Sequence, residues 1–290
     1  MPRSLLGVIG GSGVYDLPGL ADVRRQKLTT PFGDPSDEYL LGRLGDQPLA
    51  FLPRHGRGHK LLPTEVNARA NIHGFKQLGA ERLISVSAVG SMKEEIVPGH
   101  LVFPDQLIDR TFARPKTFFG DGIVAHVAFA DPICAQLRGH LIKSAGAAGA
   151  VAHDGGTYLC IEGPQFSTRA ESLLYRSWGI SVIGMTALPE AKLAREAELC
   201  YATVALATDF DCWYEGHEAV SVAQVMEIVH KNAALARAVI LRAAETSAAL
   251  EEVRTCACAH ALDSAVMTAP HAIPAAAREK VGLLLGSRFR

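Results

Sequence analysis

The sequence predicts a single α/β domain with a mostly or partly parallel sheet. Short apolar runs that suit strands alternate with longer stretches whose apolar residues recur at helical spacing. The chain has 290 residues, of which 48% are hydrophobic, so it can bury a sizeable core. We find no internal repeat and no long linker. Alternation of this kind is typical of one sheet covered by helices.

Six short apolar runs are predicted to form the strands. The first leads into a glycine-rich turn, the second is ended by Pro53, and the last is the longest of the six. The predicted strands are Leu5–Ile9, Leu49–Leu52, Leu83–Ala88, Thr157–Ile161, Ile180–Ile183 and Tyr201–Thr208.

Two helices are predicted between these strands. The first runs from an N-cap at Thr64 to Leu78 and stops before Gly79. The second covers Ala187–Leu199 and has Pro189 in its first turn, where proline is tolerated.

The C-terminal part of the chain is predicted to be helical at both ends. Residues 221–248 carry apolar residues at the i, i+3, i+4, i+7 positions of an amphipathic helix, and the stripe consists of Val222, Val225, Met226, Val229 and Ala233. Residues 251–274 are alanine-rich without a clear period, and a last helix is predicted at Ala275–Leu285.

The charge balance excludes several classes of protein. Lys and Arg total 29 and Asp and Glu total 30, a formal net charge of -1, which argues against nucleic acid or an anionic membrane as the main partner. No apolar run approaches the ~20 residues of a membrane-spanning helix. Residues 1–13 are too glycine-rich for a signal peptide, so we expect a cytoplasmic protein.

The six cysteines do not form a recognisable metal-binding pattern. Four of them stand in apolar stretches and are interpreted as buried thiols: Cys134, Cys160, Cys200 and Cys212. Cys256 and Cys258 form a C-x-C that is followed by His260. This motif lacks the usual C-x2-C spacing and a second ligand pair, so free thiols or an adventitious disulfide are favoured over a metal.

A glycine-rich turn follows the first predicted strand at residues 10–13 (GGSG). Such a turn lets backbone N–H groups approach an anion closely. A dinucleotide-binding motif would need a glycine where Asp16 stands and a helix where Pro18 and Gly19 interrupt the chain. The turn is therefore interpreted either as a site for a phosphate-sized anion or as a tight turn alone.

Residues 54–60 (RHGRGHK) place five basic or titratable side chains directly after the second predicted strand. Arginine offers a fixed fork of donors and histidine a further donor, a combination that suits an anion. A solvated basic loop is the alternative. The position at a strand end favours the anion site, because α/β sheets bind ligands there.

Three further strand ends carry small or hydroxyl residues, at residues 85–91 (SVSAVGS), 162–167 (EGPQFS) and 184–186 (GMT). Each segment alone is better explained as a cap or a turn. The last stands where a strand meets a helix N-terminus, where the helix dipole favours anions. Their joint occurrence at successive strand ends favours a ligand site.

Two carboxylates, Asp209 and Asp211, follow the most apolar strand. If that strand continues, they share one face. Burial and mutual repulsion would raise the pKa of at least one of them, which makes one a candidate acid and the other an acceptor. A solvated pair at the strand end and a metal site are the alternatives.

Together these segments closely resemble the 5′-methylthioadenosine phosphorylases of the trimeric purine nucleoside phosphorylase superfamily. The resemblance runs from Gly7 to about Val229, and residues 250–290 are less similar to the family. The segments that carry it, in chain order, are GVIGGSG, TPFGDPSD, RHGRGH, PTEVNARAN, SAVGSMKEE, IDRT, EGPQFSTRAE, GMTALPEAKLARE and ATDFDCW.

The resemblance implies one domain over residues 1–290, with a central mixed sheet flanked by helices, and a role for each matched residue. Phosphate would be bound by Ser12, Arg54, His55, Ser87, Ala88 and Thr186. The nucleoside would contact Met185, Phe166, Ser167, Asp209, Asp211, Val222, Val225 and Met226, and His126 would reach the site of a neighbouring subunit in a homotrimer.

The reaction implied is phosphorolysis of 5′-methylthioadenosine to adenine and 5-methylthioribose 1-phosphate, with Asp209 and Asp211 as catalytic residues and with no metal or organic cofactor. A preference for another base or 5′-group is the nearest alternative, for example adenosine, inosine or methylthioinosine. A hydrolytic nucleosidase would leave the anion-suited residues without a role. A non-catalytic nucleoside- or phosphate-binding protein would leave the aspartate pair unexplained.

Overall fold

The site is positioned by the strands of one mixed sheet. The computed structural model describes residues 3–11, 17–215, 222–250 and 254–289; within the helix that begins at Val222, the side chains of 222–227 and 229–231 are outside the description. The strands are β1 (Leu5–Gly10), β2 (Ala21–Gln26), β3 (Tyr39–Leu44), β4 (Gln47–Pro53), β5 (Ala80–Ser91), β6 (Leu101–Phe103), β7 (Gln106–Arg110), β8 (Ala152–Asp154), β9 (Thr157–Ile161), β10 (Val182–Gly184) and β11 (Cys200–Asp209).

The order of the strands brings four parallel carboxyl ends to one edge. Eight strands follow one another as β2-β3-β4-β1-β5-β10-β9-β7, and β11 pairs with β5 and with β6, which pairs with β8. Strands β4, β1, β5 and β11 run parallel, whereas β10 pairs with β5 in the antiparallel sense. The turns after β4, β5 and β11 therefore face the same region of space as the turn after β1.

Helices cover this sheet, so the predicted α/β class with a central mixed sheet flanked by helices is confirmed. Their bounds are α1 (Ala68–Gln77), α2 (Ala135–Ala147), α3 (Arg169–Ser177), α4 (Ala187–Glu196), α5 (Val222–Glu245) and α6 (Ala275–Leu285). None of the described helices is long and apolar enough to cross a bilayer. The domain boundaries at residues 1 and 290 stay a prediction.

The buried residues show why the strands form where they do. Positions 200–208 of β11 are all buried, as expected of a parallel strand covered on both faces. One hydrophobic cluster extends from Leu6 on β1 to Leu285 on α6, so the C-terminal helix belongs to the same core as the sheet. At Gly7 a β-carbon would lie 2.8 Å from the ring of Phe75, so only glycine lets β1 approach α1 this closely.

The six predicted strands and four predicted helices are all present, and their bounds differ at several ends. Strand β9 and helix α6 match the prediction, β5 is longer, and β10 begins two residues later than predicted. Helix α1 begins at Ala68 and not near Thr64, because the Asn67 side chain accepts the Ala70 N–H at 3.1 Å and caps it. The predicted N-cap at Thr64 is therefore wrong.

Several elements carry weaker signals and were not predicted. Strands β2, β3, β6, β7 and β8 and helices α2 and α3 belong to this group. Helix α3 does have a sequence signature, since Thr168 and Glu171 form a reciprocal capping box. Strands β6 and β8 have three residues each and β2 is mostly exposed, so their alternation of apolar and polar residues is weak.

Candidate active site

A cleft of about 400 Å³ opens where the parallel strands end. Its walls come from the turns after β1 and β4, the last part of β5, the loop after β9, the turn from β10 to α4, and the end of β11. Ten of the predicted site residues line it: Arg54, His55, Ser87, Ala88, Phe166, Ser167, Met185, Thr186, Asp209 and Asp211. The structure therefore brings together side chains that stand as much as 157 positions apart in the sequence.

Hydroxyl groups form one wall of the cleft. The Ser87 Oγ lies 2.6 Å from Thr186 Oγ1 and 3.2 Å from the hydroxyl of Tyr158. Thr186 stands at the N-terminus of α4 without a side-chain capping bond to that helix. A β-carbon on Gly184 would collide with the Tyr158 hydroxyl, so glycine is needed for this arrangement. The Ser87 and Thr186 hydroxyls, beside a helix N-terminus, are donors that suit an oxyanion, and the buried Tyr158 hydroxyl lies behind them.

Arg54 lies in the wall of the cleft and is paired with a buried carboxylate. Its Nε donates to Glu190 Oε1 at 2.5 Å, its Nη2 donates to Glu190 Oε2 at 3.1 Å, and both residues are almost fully buried. Further bonds run from Arg54 to the Val86 carbonyl and to Ser85 Oγ. Burial opposes the charge of Arg54, but the Glu190 carboxylate outweighs it and raises the arginine pKa. Most of the guanidinium donors are therefore used within the protein, and no local sequence pattern indicates this pairing.

His55 is present in the cleft as a neutral ring. Burial and the neighbouring Arg54 lower its pKa to about 4, against the opposing effect of its bond to the Leu61 carbonyl. Because a carbonyl oxygen only accepts, the Nδ1 at 2.9 Å from Leu61 O carries the proton. The other ring nitrogen is then an acceptor. His55 is thus suited to receive a hydrogen bond from a protonated phosphate oxygen and does not add the donor that the sequence analysis expected.

The lowered pKa of His55 predicts a loss of stability on acidification. The unfolded chain binds a proton near pH 6.5, whereas the native ring stays neutral down to about pH 4. As the pH falls from 6.5 to about 4, the unfolded state binds a proton at His55 before the native state does. At the lower pH the unfolding free energy is therefore smaller by on the order of 3 kcal/mol. Urea unfolding between pH 4 and 8 should show that the unfolding free energy of the wild type falls with decreasing pH, and that the fall is smaller in His55→Asn. An equal dependence on pH in both proteins would contradict the lowered pKa of His55. Measurements above pH 7, where His55 is neutral in both the native and the unfolded state, give the effect of the substitution alone.

The carboxylate pair is held by a turn and not by a continued strand. Strand β11 ends at Asp209, and residues 211–213 form a short 3-10 turn in which Asp211 has a positive φ of 52°. Asp209 Oδ1 accepts the backbone N–H of Asp211 at 2.8 Å and its Oδ2 accepts the Thr208 hydroxyl at 2.7 Å. Asp211 Oδ2 accepts the hydroxyl of buried Ser172 at 2.5 Å. The two side chains therefore do not share a strand face, and each is fixed by its own donors.

Burial raises the pKa of both aspartates. For Asp209 the hydrogen bonds from Thr208 and from the Asp211 amide oppose this rise, and the charge of Asp211 adds to it. For Asp211 the bond from Ser172 opposes the rise. The expectation of at least one raised pKa is thus confirmed, with burial and not mutual repulsion as the main cause. A larger protonated fraction near neutral pH is what a general acid needs.

The wall between the hydroxyls and the aspartates offers an aromatic face and an unused hydroxyl. The Phe166 side chain is 45% exposed although it lines the cleft. Among the described residues, the buried Oγ of Ser167 has no hydrogen-bond partner. A buried hydroxyl without a partner costs free energy unless a ligand satisfies it, so Ser167 marks a place where a polar ligand atom would sit.

An arginine that the sequence analysis missed holds this wall in place. Arg114 is buried and its Nε donates to Glu162 Oε1 at 2.9 Å. It also donates to the carbonyl oxygens of Met185 and Leu188, on the other side of the cleft wall. Arg114 thereby ties the loop after β9 to the turn before α4. Glu162 begins the segment at residues 162–167 (EGPQFS), but no local pattern indicates its partner, which is 48 residues away.

The comparisons with known proteins show the family to which the chain belongs. A family model described as the phosphorylase superfamily matches residues 5–245. The S-methyl-5′-thioadenosine phosphorylase of Geobacter sulfurreducens is 59% identical over 286 residues, which cover 98% of this chain and 99% of that protein. The chain belongs to the S-methyl-5′-thioadenosine phosphorylase family within the phosphorylase superfamily. The resemblance stated from the sequence motifs is confirmed.

Solved structures of this family share the fold of the chain. A methylthioadenosine phosphorylase sourced from an Antarctic soil metagenomic library has a TM-score of 0.92 at 46% identity, covering 99% of this chain and 100% of that one. The S12T mutant of the adenosine/methylthioadenosine phosphorylase of Schistosoma mansoni, solved in complex with methylthioadenosine, has a TM-score of 0.82 at 37% identity. That match covers 86% of this chain and 93% of the other.

Of the other five residues assigned from the family resemblance, four have side chains outside the described part of the chain, and the fifth does not line the cleft. Ser12 lies outside the described residues, next to Gly11, which does line the cleft. Helix α5 contains Val222, Val225 and Met226, whose side chains are outside the description. Ala233, from the same apolar stripe, lines the cleft, so α5 borders it. His126 is exposed and its backbone N–H donates to the Ala265 carbonyl, away from the cleft of its own chain.

The basic segment of this phosphorylase contributes only some of its residues to the cleft. His59 and Lys60 line it together with Arg54 and His55, and the ring of His59 stacks on that of His55 at 4.4 Å. Arg57 does not line it, and its backbone N–H donates to Asp37 Oδ2. His59 and Lys60 are further site residues that the assignment by resemblance omitted, although the basic pattern contains them.

Proposed function

We propose that the chain catalyses the phosphorolysis of 5′-methylthioadenosine to adenine and 5-methylthioribose 1-phosphate. The observation that carries the proposal is one cleft that has anion-suited hydroxyls at one wall and, at another, buried Asp211 and half-buried Asp209, both with raised pKa. The membership of the family and the full-length likeness to S-methyl-5′-thioadenosine phosphorylases support the same substrate.

In the proposed reaction the protein positions phosphate against the ribosyl carbon. The hydroxyls of Ser87 and Thr186, with Arg54 and neutral His55, bind a hydrogen phosphate. The bond between the ribosyl carbon and the purine breaks, its electron pair leaves with the base, and a phosphate oxygen forms the new bond to carbon. Fixing the dianion beside the oxocarbenium-like centre lowers the barrier through orientation and electrostatic attraction.

The departing base receives a proton on its five-membered ring. We assign this proton to Asp209, which later regains one from water, and we assign to Asp211 the orientation of the base. Carboxylates accept the hydrogen bonds that a 6-aminopurine donates. A 6-oxopurine offers an acceptor at that place and would leave buried groups unpaired, at about 1–3 kcal/mol for each group.

Three further features belong to the proposal. The reaction needs no metal or organic cofactor, because phosphate supplies the nucleophile and the protein supplies the proton. A homotrimer is supported by the resemblance, and exposed His126 is the residue that would reach the neighbouring site. A cytoplasmic location stays a prediction from the sequence.

An assay of released base tests the proposal. Purified protein is given methylthioadenosine, adenosine, inosine or methylthioinosine, each with and without phosphate. We expect adenine release that requires phosphate and is fastest from methylthioadenosine. Release of hypoxanthine at an equal rate would overturn the base assignment, release without phosphate would overturn the anion site, and no release would favour a binding protein. Asp209→Asn protein purified in the same way controls for contaminating enzymes.

Removing the unused hydroxyl of Ser167 should weaken substrate binding without destabilising the fold. A single neutral hydrogen bond contributes about 0.5–1.5 kcal/mol, so Ser167→Ala should raise KM for methylthioadenosine roughly 3- to 10-fold. The melting temperature should be unchanged or slightly higher, because an unsatisfied buried group is removed. Ser177→Ala is the control, since its exposed hydroxyl donates to the Leu174 carbonyl outside the cleft. An unchanged KM in Ser167→Ala would contradict the assignment.

A further inference from the structure

Four cysteines from three parts of the chain meet at a point far from the cleft. The Sγ atoms of this four-cysteine cluster all lie within 4.8 Å of one another, and its members are Cys134, Cys200, Cys256 and Cys258. Cys200 begins β11 and Asp209 ends it. Nine residues at about 3.3 Å each put some 30 Å between the cluster and the catalytic carboxylates. The proposed reaction gives the cluster no role.

The structure supplies the ligand pair that the sequence motif lacked. Cys256 and Cys258 come from the C-terminal segment, Cys134 precedes α2, and Cys200 begins β11. His260, which follows the C-x-C motif, is not part of the cluster, because its ring is exposed and contacts Asp263 at 3.1 Å. Cys134 and Cys200 lie 56 or more positions before Cys256 and Cys258, so no local spacing could have indicated this second pair of ligands.

The mutual distances fit one shared centre. Four thiolates at 2.3 Å around a tetrahedral Zn²⁺ lie about 3.8 Å apart from one another. In the cluster no pair exceeds 4.8 Å, and the sulfurs of Cys200 and Cys256 are 3.3 Å apart, beyond a covalent S–S bond of about 2.05 Å. All six cysteines of the chain are free thiols in the structure. Small movements would bring the four sulfurs to tetrahedral geometry.

The surroundings also suit a metal site. Three of the four cysteines are buried, and Cys256 is half-buried, which leaves an entry path for an ion. Cys134 is the N-cap residue of the 13-residue helix α2, whose positive end stabilises negative charge on the thiolates. The peptide N–H of Cys134 donates to the Tyr201 carbonyl at 2.9 Å, so two ligand-bearing segments are already fixed to each other.

We propose that the four-cysteine cluster is a structural site for one thiophilic divalent cation, with Zn²⁺ the ion that its ligands and geometry fit best. Binding releases the four thiol protons to solvent and forms four metal–sulfur bonds. The ion fastens the C-terminal segment to the sheet and to α2, beside the hydrogen bond from Gln136 to Thr255 at 2.8 Å. Its effect is on the stability of this segment and not on the chemical step.

The metal content of the full-length protein tests the proposal. Protein purified under reducing conditions should contain one equivalent of zinc or iron per chain after dialysis. Replacement with Co²⁺ should give the thiolate charge-transfer band and the intense d–d bands of a tetrahedral sulfur site. Cys256→Ser and Cys258→Ser should lose the metal and melt several degrees lower, with kcat unchanged. Cys160→Ala is the matched control, because Cys160 is a buried thiol outside the cluster.

Three results would overturn the proposal. One is a metal-free protein with six alkylatable thiols. Another is a metal-free protein whose mass and alkylation pattern show disulfides within the cluster. The third is a metal retained by both serine variants. If those variants do not fold, the cobalt spectrum and metal content of the wild type still decide the question.

Discussion

Asp209→Asn is expected to lower kcat/KM for methylthioadenosine by about 10²- to 10⁴-fold, the usual contribution of a general acid. Asparagine keeps an oxygen that can accept the Asp211 amide, and its NH2 can donate to the Thr208 hydroxyl, which then donates to the Val89 carbonyl, so the turn at the end of β11 should persist. It also removes a half-buried carboxyl group whose charged form is disfavoured by desolvation, so the melting temperature should not fall. Steady-state kinetics of base release, with circular dichroism as the check on folding, measure both effects.

The same substitution should change the choice of base. An amide can donate to a 6-oxopurine, so the ratio of kcat/KM for methylthioadenosine to that for methylthioinosine should fall roughly 10- to 100-fold. In the wild type kcat/KM should decline as the pH rises through the raised pKa of Asp209, because the protonated form is the acid. Asp209→Asn should lack this decline. Asp46→Asn is the control, because the Asp46 carboxylate is 87% exposed. If Asp209→Asn keeps the wild-type rate and base preference, Asp209 is not the general acid.

Glu190→Ala is expected to destabilise the protein by about 3–5 kcal/mol, because it leaves the Arg54 guanidinium buried without its counter-charge. Arg54 is 3% exposed and lies in the wall of the cleft, and its remaining bonds go to neutral groups. Tyr201 and Ser85 would also lose the carboxylate that accepts their hydroxyls. Urea denaturation at neutral pH measures the change in unfolding free energy.

A matched ion pair on the surface shows whether burial causes the large loss of stability expected for Glu190→Ala. Glu245→Ala breaks the ion pair with Arg242, in which both side chains are about half exposed, and should cost at most about 1 kcal/mol. Glu190→Gln keeps the hydrogen-bonding shape and should fall between the two, which keeps the test usable if Glu190→Ala does not fold. A loss for Glu190→Ala as small as that for Glu245→Ala would contradict a stabilising role for the buried pair.

Much of the site follows from local sequence patterns. Small, basic or acidic residues at the predicted strand ends indicated Ser87, Arg54 and Asp209 as site residues, although β5 continues to Ser91 and Ser87 therefore lies within it. The parallel alignment of β1, β4, β5 and β11 then brings these ends to one edge. Each motif was ambiguous by itself, and their shared position at strand ends resolved the ambiguity.

Helix boundaries were less predictable because capping depends on which side chain reaches the free amides. Thr64 and Asn67 both have suitable oxygens, and the sequence does not reveal that Asn67 also donates to the Phe32 carbonyl at 2.8 Å. This contact from a residue 35 positions away fixes Asn67 at the start of α1. In contrast, the long apolar period of α5 predicted that helix to within a few residues of its bounds.

The sequence by itself determined the α/β class, the longer elements of the sheet and ten of the residues that line the cleft, because strand periodicity and strand-end chemistry are local properties. Only the tertiary structure decided which partner each polar group has. Glu190 is 136 positions from Arg54, and the cysteines of the four-cysteine cluster come from three segments. Such pairs are set by the packing of elements against one another, which no short stretch of sequence encodes. The neutral state of His55 and the raised pKa of Asp209 follow from the same burial.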